Sequence, residues 1–381
     1  MKITITTDSF KGSLSATKVT ESLRKGILSS KPKTEILTLP ISDGGEGTVT
    51  TLLSHNDGHL ETVQVCSPLF QLINTTYGVL KNNTVVIEVA SASGLPLLNK
   101  REQNPLNTTT KGTGELIISA FKAGYRDFII GLGGSATNDC GIGILHAFGY
   151  RFYDIENNEL SPIGKNLNYI HSITTSNVTY DLSKATFTLA VDVTNPLFGA
   201  KGAAYTFAEQ KGANPIEIEQ LDQGLRNFYE VTTNFTHQTP DPNTEGFGAA
   251  GGVAFTLNAF FNAKIVSGID FIADQINLEE HIKNTDLVIT GEGKVDKQSL
   301  EGKVISGIIK LTTKYKKPLV IIGGQIDLSQ EDLARAGITA AFSISNKPQH
   351  LSNAMKEAIV QENLEFLGSQ LINIFTLHYN A

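Results

Sequence analysis

Asp286-Leu-Val-Ile-Thr-Gly-Glu-Gly-Lys-Val-Asp-Lys-Gln-Ser-Leu-Glu-Gly-Lys303 decides the fold of this chain. Its first residues form a short apolar run, which predicts a buried strand, and the pattern of a helix follows from about residue 303 to 315. Between the two lies a glycine-rich loop that contains carboxylates, a glutamine and lysines. A strand that leads through such a loop into a helix is the repeating unit of a parallel α/β sheet.

The same alternation of strand and helix occurs toward both ends of the chain. It predicts an α/β fold in which residues 1–60 and 281–381 together form a Rossmann-like doubly wound parallel sheet. The predicted strands of this sheet cover residues 3–7, 34–39, 286–290, 318–323 and 340–344. The predicted helices cover residues 15–29, 303–315 and 330–336, with a further helix opening at Gly45 and a last one that runs through Leu371.

The middle of the chain has a different pattern, which predicts a second, mixed α/β domain inserted into the first at residues 61–280. Runs at 61–65, 74–80 and 84–90 indicate strands with antiparallel or mixed pairing, and glycine-rich, irregular sequence follows to about residue 261. No proline- or serine-rich linker marks the boundaries, so their positions are set only to within about ten residues.

Composition excludes several classes of protein. The formal net charge is −7 and the isoelectric point is about 5.7, with lysine and arginine scattered along the 381 residues, so nucleic acid is not an expected partner. Cys66 and Cys140 are too few for a disulfide framework, and no cysteine–histidine cluster has zinc-ligand spacing. No apolar stretch is long enough to span a membrane, and no export signal is recognisable. We therefore expect a cytoplasmic protein.

The loop Thr7-Asp-Ser-Phe-Lys-Gly-Ser13 follows the first predicted strand and contains Asp8, Ser9 and Lys11. Ligands collect at the carboxyl ends of parallel strands, so Lys11 is placed to contact a phosphate. Capping of the next helix by Asp8 or by a serine at 13–15 explains the same residues equally well.

A second loop, Asp43-Gly-Gly-Glu-Gly-Thr48, combines carboxylates with glycines. Gly44 and Gly45 allow backbone amides to approach a ligand closely. Asp43 and Glu46 suit Mg²⁺, which takes oxygen ligands and usually retains waters and substrate phosphates. A tight turn with a helix cap is the alternative interpretation.

A third loop, Gly131-Leu-Gly-Gly-Ser-Ala-Thr-Asn-Asp139, follows an apolar run and opens a predicted helix that ends near Phe148. Its amides and the helix N-terminus are expected to hold an anion. The chain contains no Gly-x-x-x-x-Gly-Lys-Ser/Thr, and this loop lacks the third glycine of a dinucleotide fingerprint, so we predict neither a standard P-loop nor a nicotinamide site. The candidate anion-binding residues are Gly133, Gly134, Ser135, Thr137 and Asn138.

Further candidates lie at the end of a predicted strand over 187–193 and after it. There the carboxylate of Asp192 can accept a proton from a substrate hydroxyl, although a turn before Asn195-Pro196 explains Asp192 as well. Lys211, within Gln210-Lys-Gly-Ala213, stands among small residues of the kind that border a ligand cleft.

The loop within 286–303 has the residue types for phosphoryl transfer. Glu292 and Asp296 can organise a metal ion, while Lys294 or Lys303 neutralises charge on the transferred group. Gly291 and Gln298 belong to the same loop.

Together these motifs resemble those of the type-1 family of bacterial glycerate kinases. The resemblance covers nearly the whole chain, and the motifs occur in the order of that family. They are Asp8-Ser-Phe-Lys-Gly-Ser-Leu-Ser-Ala16, Asp43-Gly-Gly-Glu-Gly-Thr48, Gly133-Gly-Ser-Ala-Thr-Asn-Asp139, Asp192-Val-Thr-Asn-Pro-Leu197, Gln210-Lys-Gly-Ala213, Gly248-Ala-Ala-Gly-Gly252 and Thr290-Gly-Glu-Gly-x-x-Asp-x-Gln298.

The resemblance implies phosphorylation of D-glycerate by ATP with Mg²⁺, in a cleft between two α/β domains and with 2-phosphoglycerate as the common product. We expect a monomer or a homodimer that acts on this small molecule, with no nucleic acid and no membrane as partner. The predicted catalytic residues are Asp192 as base, Lys11 and Asp8, and the predicted metal ligands are Asp43, Glu46, Glu292 and Asp296. The predicted phosphate- and substrate-binding residues are Ser9, Gly44, Gly45, Gly133, Gly134, Ser135, Thr137, Asn138, Asn195, Lys211, Gly291, Gln298 and Lys303.

One departure from the family pattern affects charge recognition: Lys294 stands where arginine is usual, and lysine cannot make the planar bidentate contact of arginine. The sequence leaves two other functions open. One is a kinase for another small hydroxy acid, because glycine loops do not encode the carbon skeleton of a substrate. The other is a non-catalytic sensor of a phosphorylated metabolite. The carboxylates at four strand ends argue against a sensor, since they repel an anion unless a metal ion intervenes.

Overall fold

The computed structural model describes residues 1–300 and 303–376. The strands are β1 (Lys2–Ile5), β2 (Glu35–Thr38), β3 (Gly58–Cys66), β4 (Leu72–Leu80), β5 (Thr84–Glu88), β6 (Asp127–Gly131), β7 (Arg151–Tyr153), β8 (Ser172–Thr174), β9 (Thr186–Val191), β10 (Lys264–Ser267), β11 (Leu287–Val295), β12 (Leu319–Ile326) and β13 (Ala340–Ser343). The α-helices are α1 (Ala16–Ser30), α2 (Thr48–His55), α3 (Ala90–Ser93), α4 (Lys111–Lys122), α5 (Ile142–Phe148), α6 (Ala203–Phe207), α7 (Pro215–Thr236), α8 (Val253–Phe261), α9 (Gly268–Gln275), α10 (Leu278–Lys283), α11 (Val304–Tyr315), α12 (Gln330–Arg335), α13 (Leu351–Ala354) and α14 (Glu357–Phe375).

The chain divides into two compact units. The first contains Met1–Asp43 and the described residues from Ile269 onward, and the second contains Gly44–Gly268. The division falls earlier in the chain than the boundaries predicted after residues 60 and 280. Helix α2 belongs to the second unit because Val49 and Leu53 pack against Gly78 of β4. Helix α9 belongs to the first because Ile269 packs against Gly307 of α11.

The first unit is built on a five-stranded parallel sheet in the order β13-β12-β11-β1-β2. The chain moves from β1 to β2 on one side of the sheet and from β11 to β13 on the other, so the strand order reverses between β1 and β11. Such a reversal leaves a crevice at the carboxyl ends of the two strands, where α/β proteins bind ligands. Apolar residues of adjacent strands, among them Ile3, Ile5, Leu287 and Ile289, form the core with one face of α1 and α14.

The second unit contains a six-stranded mixed sheet in the order β10-β9-β6-β5-β4-β3. β3, β4 and β5 pair antiparallel, as the sequence pattern suggested, and β5, β6, β9 and β10 pair parallel. The predicted fold class, an α/β protein with a parallel sheet and a second mixed domain, is confirmed.

The prediction of irregular sequence from about residue 91 to 261 is wrong, because this part contains helices α4 to α8. Helix α7 is 22 residues long and begins with a capping box, in which the Asn214 side chain accepts from the amides of residues 216 and 217 while Glu217 accepts from the Asn214 amide. Pro215, at the first helical position, fixes a helical φ without losing an intrahelical hydrogen bond. None of the described helices is long and apolar enough to span a lipid bilayer.

Candidate active site

In the first unit, a tight turn places Asp8 and Lys11 beyond the carboxyl end of β1. The chain remains paired with β11 past the end of β1, since the Asp8 amide donates to Gly291 O at 2.9 Å. Phe10 and Leu14 then exchange backbone hydrogen bonds of 2.8 and 2.9 Å. Lys11 stands near the tip of this turn, beside Gly12, whose φ of +76° favours glycine.

The Lys11 ammonium interacts with three carboxylates. It donates to Asp43 Oδ2 at 3.3 Å and is coupled electrostatically to Asp8 and Glu292. Asp8 is 2% exposed, and its burial, followed by the charge of Asp43, raises its pKa from 3.8 to about 7. Burial also raises the pKa of Glu292, while a hydrogen bond with Ser299 and the charge of Lys303 oppose that rise. We refer to Asp8, Lys11, Asp43 and Glu292 as the carboxylate cluster.

The carboxylate cluster has the properties of a site for a divalent cation. It contains more carboxylates than ammonium groups, and the buried Oε1 of Glu292 has no hydrogen-bond partner among the described residues. In residues 1–300 and 303–376, no group of three or more His, Cys, Asp or Glu side chains is arranged to hold a metal ion alone. Mg²⁺ usually takes one or two protein carboxylates and completes its shell with waters and substrate phosphates. A Mg²⁺ ion at this cluster would therefore need waters and phosphate oxygens to complete its shell.

Several predicted residues lie outside this cluster. Asp296 forms an ion pair with Lys294 at 3.0 Å, which lowers the pKa of Asp296, and accepts from the Gln298 amide. The Gln298 side chain is exposed. Glu46 is exposed and belongs to the second unit. Gly291 has a packing role within β11, because a Cβ there would lie 2.1 Å from Ile322 O of β12.

A cavity of about 660 Å³ lies in the first unit beside the cluster. Ser9, Lys11, Glu292 and Lys303, all predicted from the sequence, line it. The remaining wall includes residues from the 344–363 segment, which the sequence analysis treated only as a strand and a helix. Their position after a parallel strand, β13, is the pattern that could have indicated them.

In the second unit, two of the predicted glycine loops pack against each other. A Cβ at Gly131 would lie 2.3 Å from Gly44 O, and a Cβ at Gly133 would lie 2.6 Å from Gly45 Cα. Gly44 also has a φ of +86°. The close backbone contact therefore requires glycine at 131 and 133, and the left-handed φ favours glycine at 44.

The sequence predicted that the 132–139 loop opens a helix. In the structure this loop does not form the first turn of a helix. Helix α5 begins only at Ile142 and has seven residues. The buried carboxylate of Asp139 fixes the loop instead, since it accepts from the Thr110 amide and hydroxyl at 2.7 and 2.8 Å and from the Gly141 and Gly143 amides at 3.2 Å. Any anion site in this loop must therefore depend on side chains and loop amides.

Lys211 supplies the ammonium group of this loop. It is 3% exposed, and its Nζ donates to Ser135 Oγ at 2.9 Å and to Thr137 O at 2.7 Å. Burial lowers its pKa from 10.5 to about 7. An ammonium has three hydrogens, so one remains for a ligand.

Orphaned polar atoms lie beside these contacts. Both side-chain amide atoms of Asn138 and the hydroxyl of Thr137 are buried with no partner in the described structure. Buried polar atoms are normally hydrogen-bonded, and an exception needs a ligand or a water to explain it. The predicted anion-binding residues Ser135, Thr137, Asn138 and Lys211 thus form one group with unused hydrogen-bonding capacity.

Asp192 follows β9, which pairs in parallel with β6, so Asp192 and the 132–139 loop lie at the same edge of the sheet. The Asp192 side chain is half-buried. The amide nitrogen of Asn195, by contrast, donates to Lys201 O at 2.7 Å and Thr206 Oγ1 at 3.1 Å. The Asn195 side-chain oxygen remains as an acceptor for a ligand hydroxyl, and the role of Asn195 in phosphate or substrate binding stays a prediction.

The sequence analysis missed Glu88, which ends β5. Its carboxylate accepts from the Val49 amide at 2.8 Å and caps the start of α2. Burial raises its pKa to about 6. Thirty-nine residues separate the two partners, so no local pattern indicates the contact.

Comparison with known proteins gives the same family from sequence and from structure. The family model described as the glycerate kinase family matches residues 3–376. The chain is 40% identical over 359 residues to the glycerate 2-kinase of Escherichia coli strain K12, with 94% of each protein covered. It is 37% identical over 378 residues to the glycerate kinase of Bacillus cereus, with 99% of this chain and 98% of the relative covered. A solved structure provisionally named glycerate kinase 2, from Salmonella typhimurium LT2, matches the full length of both chains with a TM-score of 0.83 and 37% identity.

Proposed function

Because the chain belongs to the glycerate kinase family, we propose that it transfers the γ-phosphate of ATP to a hydroxyl group of D-glycerate. The observation in the structure that carries this proposal is the carboxylate cluster. The cluster places the Lys11 ammonium, which can bind phosphate, beside carboxylates whose negative charge exceeds its positive charge. A magnesium nucleotide supplies both the phosphates and the missing positive charge.

The Lys211 group of the second unit is the proposed site for the carboxylate of glycerate. The free hydrogen of the Lys211 ammonium and the orphaned donors of Thr137 and Asn138 match the oxygens of an anion. A bound anion favours the charged form of a buried lysine. Glycerate binding should therefore raise the pKa of Lys211 toward its ordinary value.

Asp192 accepts the proton of the glycerate hydroxyl as its oxygen attacks the γ-phosphorus, the bond to the β-phosphate oxygen breaks, and ADP leaves. Lys11 balances negative charge on the transferred group, and Glu292 and Asp8 are the residues that would hold Mg²⁺. The metal ion, when bound, neutralises charge on the β- and γ-phosphates.

We propose the 2-hydroxyl of glycerate as the acceptor and 2-phosphoglycerate as the product. The support comes from the Escherichia coli relative, which is named a glycerate 2-kinase and matches 94% of this chain.

The two free cysteines are both buried, which agrees with function in the reducing cytoplasm.

A comparison of acceptors tests this function. ADP release from Mg-ATP is measured with D-glycerate, L-glycerate, glycolate and D-lactate at equal concentration. D-Glycerate should give the highest kcat/KM, because only it combines the carboxylate, the 2-hydroxyl of correct configuration and the 3-hydroxyl. A higher kcat/KM for another hydroxy acid, or no ADP release from folded protein with any acceptor, would overturn the assignment.

A further inference from the structure

We infer that the cavity of the first unit binds the adenine nucleoside of the nucleotide, and that Asn363 and Gln349 recognise the edge of the base. The inference rests on the proposed function for the identity of the nucleotide. Its own basis is the size of the cavity, the exposed apolar side chains in its wall and the side-chain amides of Asn363 and Gln349.

The cavity has the size and position for a nucleoside. Its volume of about 660 Å³ lies in the range of small-molecule sites, roughly 300–1,000 Å³. A three-carbon acid would fill only a small part of it. The cavity lies at the carboxyl ends of β11, β12 and β13, with Glu292, Gln325 and Ile344 on its wall. Ligands bind at this edge in open α/β sheets.

Part of the cavity wall is apolar. Leu351 and Met355 both line it, and they are 69% and 37% exposed although they are large hydrophobic residues. Phe10 and Val360 form buried parts of the same wall. An aromatic base placed here would remove Leu351 and Met355 from water.

Two amide side chains in the cavity wall can form hydrogen bonds with a base. Asn363 on α14 is 4% exposed and lines the cavity. The Oε1 of Gln349 accepts a hydrogen bond from the side-chain amide of Asn353 at 2.8 Å. The Nε2 of Gln349 is buried and has no partner among the described residues. Gln349 therefore offers only a donor, which suits a ring nitrogen of adenine. Asn363 offers a donor and an acceptor, the pair that matches the ring nitrogen and amino group of adenine.

Groups that can bind phosphate line the same cavity. Lys11 and Lys303 form part of its wall together with Glu292. The 350–355 segment is attached to the turn that contains Lys11, since Ser13 Oγ donates to Met355 O at 2.7 Å. A nucleotide with its base at Asn363 would therefore extend its phosphates toward the carboxylate cluster within the same unit.

The test compares Asn363→Leu and Gln349→Leu with Asn373→Leu, a matched control at an exposed position of α14. Calorimetric titration measures the binding of Mg-ADP and, separately, of inorganic tripolyphosphate, which has phosphates and no base. Asn363→Leu and Gln349→Leu should each weaken Mg-ADP binding about tenfold or more, the loss expected for one or two hydrogen bonds. Both should leave tripolyphosphate binding unchanged, and Asn373→Leu should change neither.

Unchanged Mg-ADP affinity in both cavity variants would overturn the inference, as would an equal loss of tripolyphosphate binding. These outcomes do not depend on glycerate turnover. Nucleotide binding that follows the expected pattern in an enzyme that fails to phosphorylate glycerate would contradict the proposed acceptor and leave the nucleoside site intact.

Discussion

Replacing Lys211 by methionine should abolish activity and change how the stability of the ligand-free protein depends on pH. Lys211 is 3% exposed, and burial lowers its pKa from 10.5 to about 7. The unfolded chain therefore holds its proton more tightly than the folded protein does. At pH 6.5 this difference destabilises the folded state by about 4–5 kcal/mol, because one pKa unit corresponds to about 1.4 kcal/mol.

The methionine variant removes that cost and introduces one of similar size. Ser135 Oγ and Thr137 O lose the hydrogen bonds of 2.9 and 2.7 Å that Lys211 donates. A buried acceptor left without a partner costs about 1–3 kcal/mol, so the two together cost roughly 2–6 kcal/mol. The net effect at pH 6.5 therefore lies between a gain of about 2–3 kcal/mol and a loss of about 1–2 kcal/mol.

The pH dependence distinguishes this explanation from a general packing effect. A folded-state pKa below the unfolded value means that wild-type stability rises as pH increases from about 7 to 10.5. The stability of Lys211→Met relative to wild type should therefore fall by roughly 3 kcal/mol between pH 6.5 and 9.5, or about 6–12 °C in the melting temperature of a domain of this size. Circular dichroism melts at four pH values measure it, with the exposed Lys201→Met as control. A relative stability that stays constant with pH would refute the reasoning.

Three further substitutions test separate parts of the site. Asp8→Asn should stabilise the protein at pH 8 by up to about 4 kcal/mol and have no effect below pH 4. The reason is that the raised pKa of Asp8 makes wild-type stability fall as pH rises from 4 to 7. An equal gain at both pH values in circular dichroism melts would contradict this. Asp192→Asn should lower kcat about 100-fold or more with an unchanged melting temperature, and near-normal turnover of the folded variant would remove Asp192 as the base. Gly131→Ala places a Cβ 2.3 Å from Gly44 O and should cost about 1–3 kcal/mol of stability by overpacking, so an unchanged melting temperature would show that the two loops do not need their close contact.

Local sequence patterns predicted the first unit well. The strands and helices at both ends of the chain lie close to their predicted positions, because apolar runs that alternate with amphipathic segments determine a parallel sheet. Helix α7 was missed although its start was visible, since Asn214, Pro215 and Glu217 form a standard N-terminal pattern. The nearby glycines indicate irregular structure, and this signal hid the start of the helix.

The site could be predicted as a set of residues but not as an arrangement. The pairing of Lys211 with Ser135 joins residues 76 positions apart, and that of Glu88 with Val49 joins residues 39 apart. Local spacing contains no information on such contacts. Asp296 was assigned to a metal from its position near Glu292, yet it pairs with Lys294. The choice between an ion pair and a metal ligand depends on side-chain directions, which the sequence does not specify.

The most direct test of the central claim is the identity of the product formed from Mg-ATP and D-glycerate. ADP release is measured, and the product is then supplied to enolase alone or to enolase with phosphoglycerate mutase. We expect ADP release that depends on D-glycerate and a product that enolase consumes without the mutase, which means that the 2-hydroxyl is phosphorylated. A product that requires the mutase would place the phosphate on the 3-hydroxyl and contradict the proposed product, and the absence of glycerate-dependent ADP release from folded protein would contradict the function itself.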